Sequence, residues 1–189
     1  MGIAIADTAC EYGAFAELVL GPVNLKPKNS SVKVVNVTTA RSMADECISR
    51  FPGSDIAILA AAVADYTPVD ISEKKLKKGS EDLVLRLKPT QDIAAVLGKT
   101  KTERQIVAGF ALETDNEIEN AKEKLHRKNL DLIILNSLRD KDSGFGHDTN
   151  RITIIDSNNI IDKFELKTKE EAARDILDKI VAMLKNRDL

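Results

Sequence analysis

The apolar positions of this chain change period repeatedly, from short continuous runs to three-and-four spacing, and that alternation predicts strands separated by helices. Met1 to Ala6 already reads as helix, with Ile3, Ala6, Ala9 and Cys10 on one face and Gly13 as its C-cap. A strand-like run from Ala14 to Leu20 stops at Gly21-Pro22. The β-branched run Val32 to Val37 leads to Thr38 or Thr39 as cap of a helix that buries Met43, Cys47 and Ile48. Phe51-Pro52-Gly53 breaks that helix before an apolar strand from Asp55 to Ala62. Leu83, Leu85 and Leu87 alternate with Asp82, Val84, Arg86 and Lys88, the pattern of a half-buried strand. Thr90 precedes a short helix, Asp92 to Leu97. Then come a strand from Ile106 to Phe110, a helix from Asn116 to Lys128 and a strand from Leu132 to Leu135. Asn158-Asn159 separates Arg151 to Asp156 from Ile160 to Leu166 as a hairpin turn would. Thr168 with Glu171 makes a capping box for the last helix, Lys169 to Asn186.

Strands spaced by helices imply an α/β fold: a Rossmann-like, mostly parallel sheet with helices on both faces, closed by a C-terminal β-hairpin. A doubly wound domain normally opens with a strand and a glycine-rich turn before its first helix. Here the first readable element is that helix, so either the fold departs from that plan or, the favoured expectation, the N-terminal strand is missing and the chain is a truncated single domain, residues 1–189. Its 43% hydrophobic and 31% charged residues suit a globular protein with a sizeable core. With a net charge of -2 there is no global basic field, which argues against nucleic acid as a partner. No apolar run approaches the ~20 residues of a membrane span. Cys10 and Cys47 make neither a disulfide framework nor a metal cluster, and the expected setting is cytoplasmic.

Candidate chemistry gathers at the expected strand ends. Small residues after the Asp55 strand, Ala61 among them, let a ligand approach the backbone where open α/β sheets bind ligands. Asp65 follows, and then Lys74, Lys75, Lys77 and Lys78: either a solvated charged loop or, on equal footing, an acid for a cation or hydroxyl and mobile ammonium groups for phosphate oxygens. Gly109-Phe110-Ala111 closes another strand and can read a base edge through its main chain, with the Phe110 ring as wall or as core. Thr90, Gln91, Asp92 and Ile93 open a helix whose free N–H groups make an anion or hydroxyl site, although simple capping is the default. Lys124 and Lys128 stand four apart on one helix face, where such pairs either clamp phosphates or, more often, are solvated. His126 and His147 fit no ligand spacing and read as surface residues, and Ser143-Gly144-Phe145-Gly146 is too short a signal for a phosphate loop.

Several stretches together resemble phosphopantothenoylcysteine synthetase, the synthetase half of the bifunctional bacterial flavoprotein of coenzyme A biosynthesis. They are AAVADY at Ala61 to Tyr66, KLKK at Lys75 to Lys78, TQDI at Thr90 to Ile93, GFALET at Gly109 to Thr114, KLHRKNLDLIILN from Lys124 to Asn136, and GFGHDTN from Gly144 to Asn150. They appear in the family's order over essentially the whole chain. Absent are the family's first strand, its glycine-rich turn and an asparagine-containing segment thought to act on the acyl intermediate, and Gln91 stands where proline is common. The resemblance implies a ligase that activates 4′-phosphopantothenate with CTP and Mg2+ as an acyl-cytidylate and then forms an amide with L-cysteine. It implies Lys75 on the triphosphate as the catalytic lysine and Asp65 on the nucleotide or its metal ion. Ala61, Thr90 to Ile93 and Phe110 would surround the nucleoside, and Lys124 and Lys128 would reach it. The loop Lys74 to Gly79 would close as a flap. Family members dimerise, with Leu83 to Leu87 as a candidate interface, and FMN enters only with a fused phosphopantothenoylcysteine decarboxylase. Two other classes stay open: an NAD(P)-type oxidoreductase, for which no G-x-G-x-x-G is present, and a non-catalytic dimerisation module of a larger flavoprotein.

Overall fold

A computed structural model of the chain describes residues 1–70, 72, 74–75, 82–113, 115–137 and 148–187. In chain order, α1 (Gly2–Glu11) leads into β1 (Glu17–Leu20), β2 (Lys33–Asn36), α2 (Ala40–Arg50) and β3 (Ile56–Leu59). A small ribbon of β4 (Tyr66–Pro68) and β5 (Leu87–Pro89) follows, then α3 (Ile93–Thr100), β6 (Ile106–Glu113), α4 (Glu117–Arg127) and β7 (Leu132–Ser137). The remaining elements are β8 (Thr149–Asn150), β9 (Ile152–Asp156), β10 (Ile161–Lys163), β11 (Lys167–Thr168) and α5 (Lys169–Arg187). The central sheet runs β10-β9-β7-β6-β3, parallel from β3 through β7 and antiparallel across β7, β9 and β10. Strands β1 and β2 form a separate parallel pair.

Why the parallel strands read as unbroken apolar runs is visible in their two faces. Ile106, Ala108, Leu132, Ile134, Ile152 and Ile154 pack against Ile5 of α1 and Ala173, Ile176 and Ile180 of α5. The alternate residues Val107, Ala111, Ile133, Leu135 and Ile155 pack against Ala44 of α2, Leu97 of α3 and Leu125 of α4. With helices on both faces, neither set of alternate positions can be polar. The Rossmann-like α/β class, the helices on both faces and the C-terminal hairpin are therefore what the chain forms. Asp156 fixes that hairpin by accepting the N–H groups of Asn158 and Ile160, both at 3.0 Å, and Asn159 takes the left-handed turn position at φ 64.

Caps explain the helix starts. Thr39, rather than Thr38, caps α2 and exchanges hydrogen bonds with Ser42. At α5 the Thr168 hydroxyl accepts from the Glu171 N–H at 3.2 Å, and the Glu171 carboxylate accepts from the Thr168 N–H at 2.9 Å. The buried face of α1 is Ile5, Ala6 and Thr8, turned from the expected one; the Thr8 hydroxyl is satisfied by the Ala4 carbonyl at 2.8 Å. Residues 82–86 are not the half-buried strand that their alternation predicts. Leu83, Val84 and Leu85 are 69%, 82% and 59% exposed, because no sheet face lies beneath them, and only Leu87–Pro89 pairs with β4. No helix among the described residues is long and apolar enough to cross a membrane.

The amino-terminal end of the sheet is held by buried charge. Asp131, just before β7, accepts the Val107 N–H at 2.8 Å and pairs with Lys101 at 2.7 Å and Arg187 at 2.5 Å. Arg187 also donates to the Gln105 carbonyl at 2.6 Å, while the Gln105 amide donates to the carbonyls of Phe51 and Ser54. One network thus ties the end of α5 to the starts of β6 and β7.

Candidate functional site

At the carboxyl end of the sheet, β3 stops at Leu59, and Ala60 to Ala64 follow with nothing bulkier than Val63. Ala61 and Asp65 are exposed. The start of α1 comes to the same place, since a Cβ on Gly2 would lie 3.7 Å from that of Ala60. Thr90 clasps this loop to the next one: its N–H donates to the Asp65 carbonyl at 2.9 Å and its hydroxyl to the Ala64 carbonyl at 2.6 Å. The segments 61–65 and 90–93, far apart in sequence, therefore form one wall. Gln91 is exposed on it, whereas the Ile93 side chain is buried in the core beneath, so Ile93 offers a ligand only its backbone.

Asp92 does two things. As N-cap of α3 it accepts the Ala95 N–H at 3.1 Å, and it pairs with the Lys128 ammonium at 3.0 Å. Burial works against its charge, but the Lys128 ammonium and the Ala95 N–H outweigh it and hold the carboxyl below the ordinary carboxylate range. The Lys128 backbone sits much lower on α3, against Gly98, six residues and about 9 Å of helix away from Asp92. Its side chain, 24% exposed, runs up the α3–α4 groove to deliver its ammonium at the crevice. Asn129 takes φ 50 and its side-chain amide donates to the Gly98 carbonyl at 2.7 Å, which locks this close approach.

Strand β6 runs past the expected end at Phe110 to Glu113. Strand β7 supplies a ladder as far as Ser137, while β3 has already ended at Leu59 opposite Gly109. The main chain of Gly109 to Ala111 therefore pairs with β7, and from Phe110 onward the other edge of β6 faces the loop that follows β3. The Phe110 ring packs on the α1/α5 side of the sheet, whereas α4 lies on the opposite side, so the ring and the lysines are not brought together. Glu113 ends the row that includes Val107 and Ala111 and faces α4. Its carboxylate pairs with Lys124 and lies 3.4 Å from the Asn120 amide. Helical side chains lean toward the helix start, so Lys124 is aimed back at the carboxyl end of β6. Lys124 and Lys128 stand four apart, but each is held by a different acid. Glu113 was not singled out from sequence; the signal for it is an acid closing an otherwise apolar strand.

Lys74 and Lys75 are exposed and make no ion pair among the described residues. Lys77, Lys78, Gly79, Thr114, the loop Ser143 to Gly146 and His147 lie outside the described residues. Asp65 makes no side-chain hydrogen bond or ion pair among them, and no group of three or more acidic, histidine or cysteine side chains stands together as a metal site. His126 is exposed, 3.2 Å from the Asn159 side chain, and Cys47 is a free thiol whose pKa burial raises.

Comparisons with known proteins bear on this arrangement. A protein from an unknown prokaryotic organism, named cysteine/cysteine sulfinic acid decarboxylase, is 58% identical over 184 residues, 97% of this chain and 51% of its own length. The coenzyme A biosynthesis bifunctional protein CoaBC of Bacillus subtilis is 38% identical over 185 residues, 98% of this chain and 45% of its own. The chain therefore spans about half the length of these curated relatives. The crystal structure of the C-terminal domain of a coenzyme A biosynthesis bifunctional protein CoaBC superposes with a TM-score of 0.82 at 34% identity, over 98% of this chain and 82% of that one. Residues 1–184 match the domain described as the DNA/pantothenate metabolism flavoprotein C-terminal domain, and the chain belongs to that family.

Proposed function

We propose that this chain is the synthetase domain of a phosphopantothenate–cysteine ligase, activating 4′-phosphopantothenate with CTP and coupling it to L-cysteine. The observation that carries the reading is the Thr90 clasp. It sets Ala61, Asp65 and Thr90 to Ile93 side by side at the carboxyl end of the sheet, and Lys128 joins them through Asp92. A carboxylate oxygen of the pantothenate attacks the α-phosphorus of CTP and pyrophosphate leaves. The cysteine amine then attacks the acyl carbon, loses a proton and expels CMP. Bringing two anions together needs positive charge, which Lys74 and Lys75 can lend to the phosphates as negative charge shifts to the leaving group. Mg2+ held at Asp65 would screen the phosphates further. The main chain around Gly109 would read the base.

The exposed apolar residues Leu83, Val84, Leu85 and Leu87 suit a homodimer interface. The uncovered half of the longer relatives suits a decarboxylase, with FMN belonging there. The activity that names the 58%-identical relative would then lie in the half that this chain does not match. A cytoplasmic setting suits a pathway of soluble intermediates.

The test is release of CMP from CTP and 4′-phosphopantothenate, with and without cysteine, on the chain and on its longest natural form. Cysteine-dependent CMP release that ATP does not replace supports the ligase. Release independent of cysteine, or a preference for NAD in a binding titration, overturns it.

A further inference from the structure

We infer that Glu113 is a positioning residue, holding Lys124 as a charge-compensated donor for the uncharged, nucleoside part of the ligand. The inference rests on the nucleotide reading above and adds a division of labour to it. Lys124 of α4 and Lys128, which caps that helix, point toward the carboxyl end of the sheet, and each arrives already paired: Lys128 with Asp92, Lys124 with Glu113. An ammonium locked to a carboxylate adds little net charge to the site, so neither pair suits the neutralising of a triphosphate. Lys128 meets both oxygens of Asp92, at 3.1 and 3.0 Å, whereas Lys124 meets one oxygen of Glu113 and keeps two further N–H donors, which suit a sugar hydroxyl or a ring oxygen. Lys74 and Lys75, exposed and without an ion-pair partner among the described residues, are placed to meet phosphate charge instead.

Glu113 is well made for this task. Its side chain is 14% exposed, against 37% for Lys124, so the carboxylate is the fixed member of the pair and the lysine the adaptable one. Asn120 lies 3.4 Å from the second carboxylate oxygen and donates to the Asp115 carbonyl at 2.8 Å, which braces the acid from α4 itself. Removing the carboxylate frees a lysine with four rotatable bonds, and the ligand must then order it.

The experiment compares cytidine and CTP–Mg2+ binding by calorimetry or NMR titration, each at two salt concentrations. The proteins are the wild-type chain, Glu113→Gln, Glu113→Asp, Lys124→Met, the Glu113→Gln/Lys124→Met double variant and Lys75→Gln. Glu113→Gln and Lys124→Met should each weaken cytidine by about tenfold. The double variant should be no worse than either alone, because both remove one interaction. Glu113→Asp should fall between, as the retained charge partly rescues the lysine. Glu113→Gln should also make CTP binding more salt-dependent, since Lys124 is left uncompensated, a change that a purely structural defect does not produce. Lys75→Gln should weaken CTP and leave cytidine unchanged. Additive losses in the double variant, or cytidine binding unchanged or tighter in Glu113→Gln, overturn the positioning role and leave the nucleotide reading standing. Absence of both cytidine and CTP binding in the wild-type chain overturns both.

Discussion

Replacing Gly98 with alanine sets helix propensity against packing, and the two have opposite signs. In an isolated helix the change would stabilise by about 1 kcal/mol. In this fold the new Cβ would stand 1.9 Å from the Lys128 carbonyl oxygen, 3.0 Å from that of Asn129 and 3.1 Å from the Lys128 carbonyl carbon. All three are backbone atoms, which cannot swing aside. To restore an ordinary contact of about 3.5 Å, α3 and the turn after α4 must part by roughly 1.5 Å. That separation strains the hydrogen bond from Asn129 to Gly98 and opens the packing of Leu97 against Leu125. Overpacking costs about 1–3 kcal/mol and the lost hydrogen bond about 1, so the net effect after propensity is a destabilisation of about 1–3 kcal/mol. A chain of this length loses about 2–4 °C per kcal/mol, which puts the fall in Tm at about 2–12 °C. Circular dichroism melts of wild type, Gly98→Ala and Gly53→Ala read the effect. At Gly53 a Cβ meets nothing within 4 Å, so that variant reports the background. A Gly98→Ala protein as stable as wild type, or more so, would show that α3 and α4 are not in the contact described.

Asp131→Asn should cost about 3–5 kcal/mol in a urea titration, because it strips Lys101 and Arg187 of their buried counterion; an unchanged midpoint would count against the network. Asp92 has a lowered pKa in the folded chain, so its contribution is present above the unfolded value of about 3.9 and is lost as pH falls through the lower folded value. The stability gap between wild type and Asp92→Asn should therefore close below pH ~4, and a gap constant from pH 7 to pH 3 would contradict the pairing with Lys128. If Leu83 to Leu87 cover a second copy, Leu85→Lys should turn a dimer into a monomer in sedimentation velocity, whereas equal masses would remove this segment from the interface.

Period and punctuation were enough to read the layers of the fold. The unbroken runs at Ile106 and Leu132 mark strands covered on both faces, and the caps at Thr39 and Thr168 follow from side chains that bond locally. Segment 82–86 misled because exposed leucines alternate as half-buried ones do; what distinguishes them is the sheet beneath, which is not local in sequence. The wall formed by residues 61–65 and 90–93 was legible as two motifs but not as one surface, since the Thr90 clasp spans 26 residues. Spacing alone put Lys124 and Lys128 together on one helix face, yet Lys128 caps the helix, their partners Glu113 and Asp92 come from other elements, and nothing local announces that either lysine is already paired. The Phe110 ring follows strand parity, which could be settled only once the helices were assigned to their faces.

The braced amino-terminal end of the sheet has a consequence for how the molecule opens. Local unfolding there must part Asp131 from Val107, Lys101 and Arg187 together and release Gln105 as well, so the amides of Val107 and Leu132 should exchange hydrogen only through global unfolding. The other end of the same strands is joined by the Thr90 clasp and by ion pairs that are about one-third to one-half exposed on their outer partner, which open at lower cost. Protection should therefore be graded along each strand rather than from strand to strand. A ligand arriving at the loosely held end can order it and slow its exchange with the far end unchanged, which lets the binding loops drift in sequence over evolutionary time without putting the rest of the domain at risk.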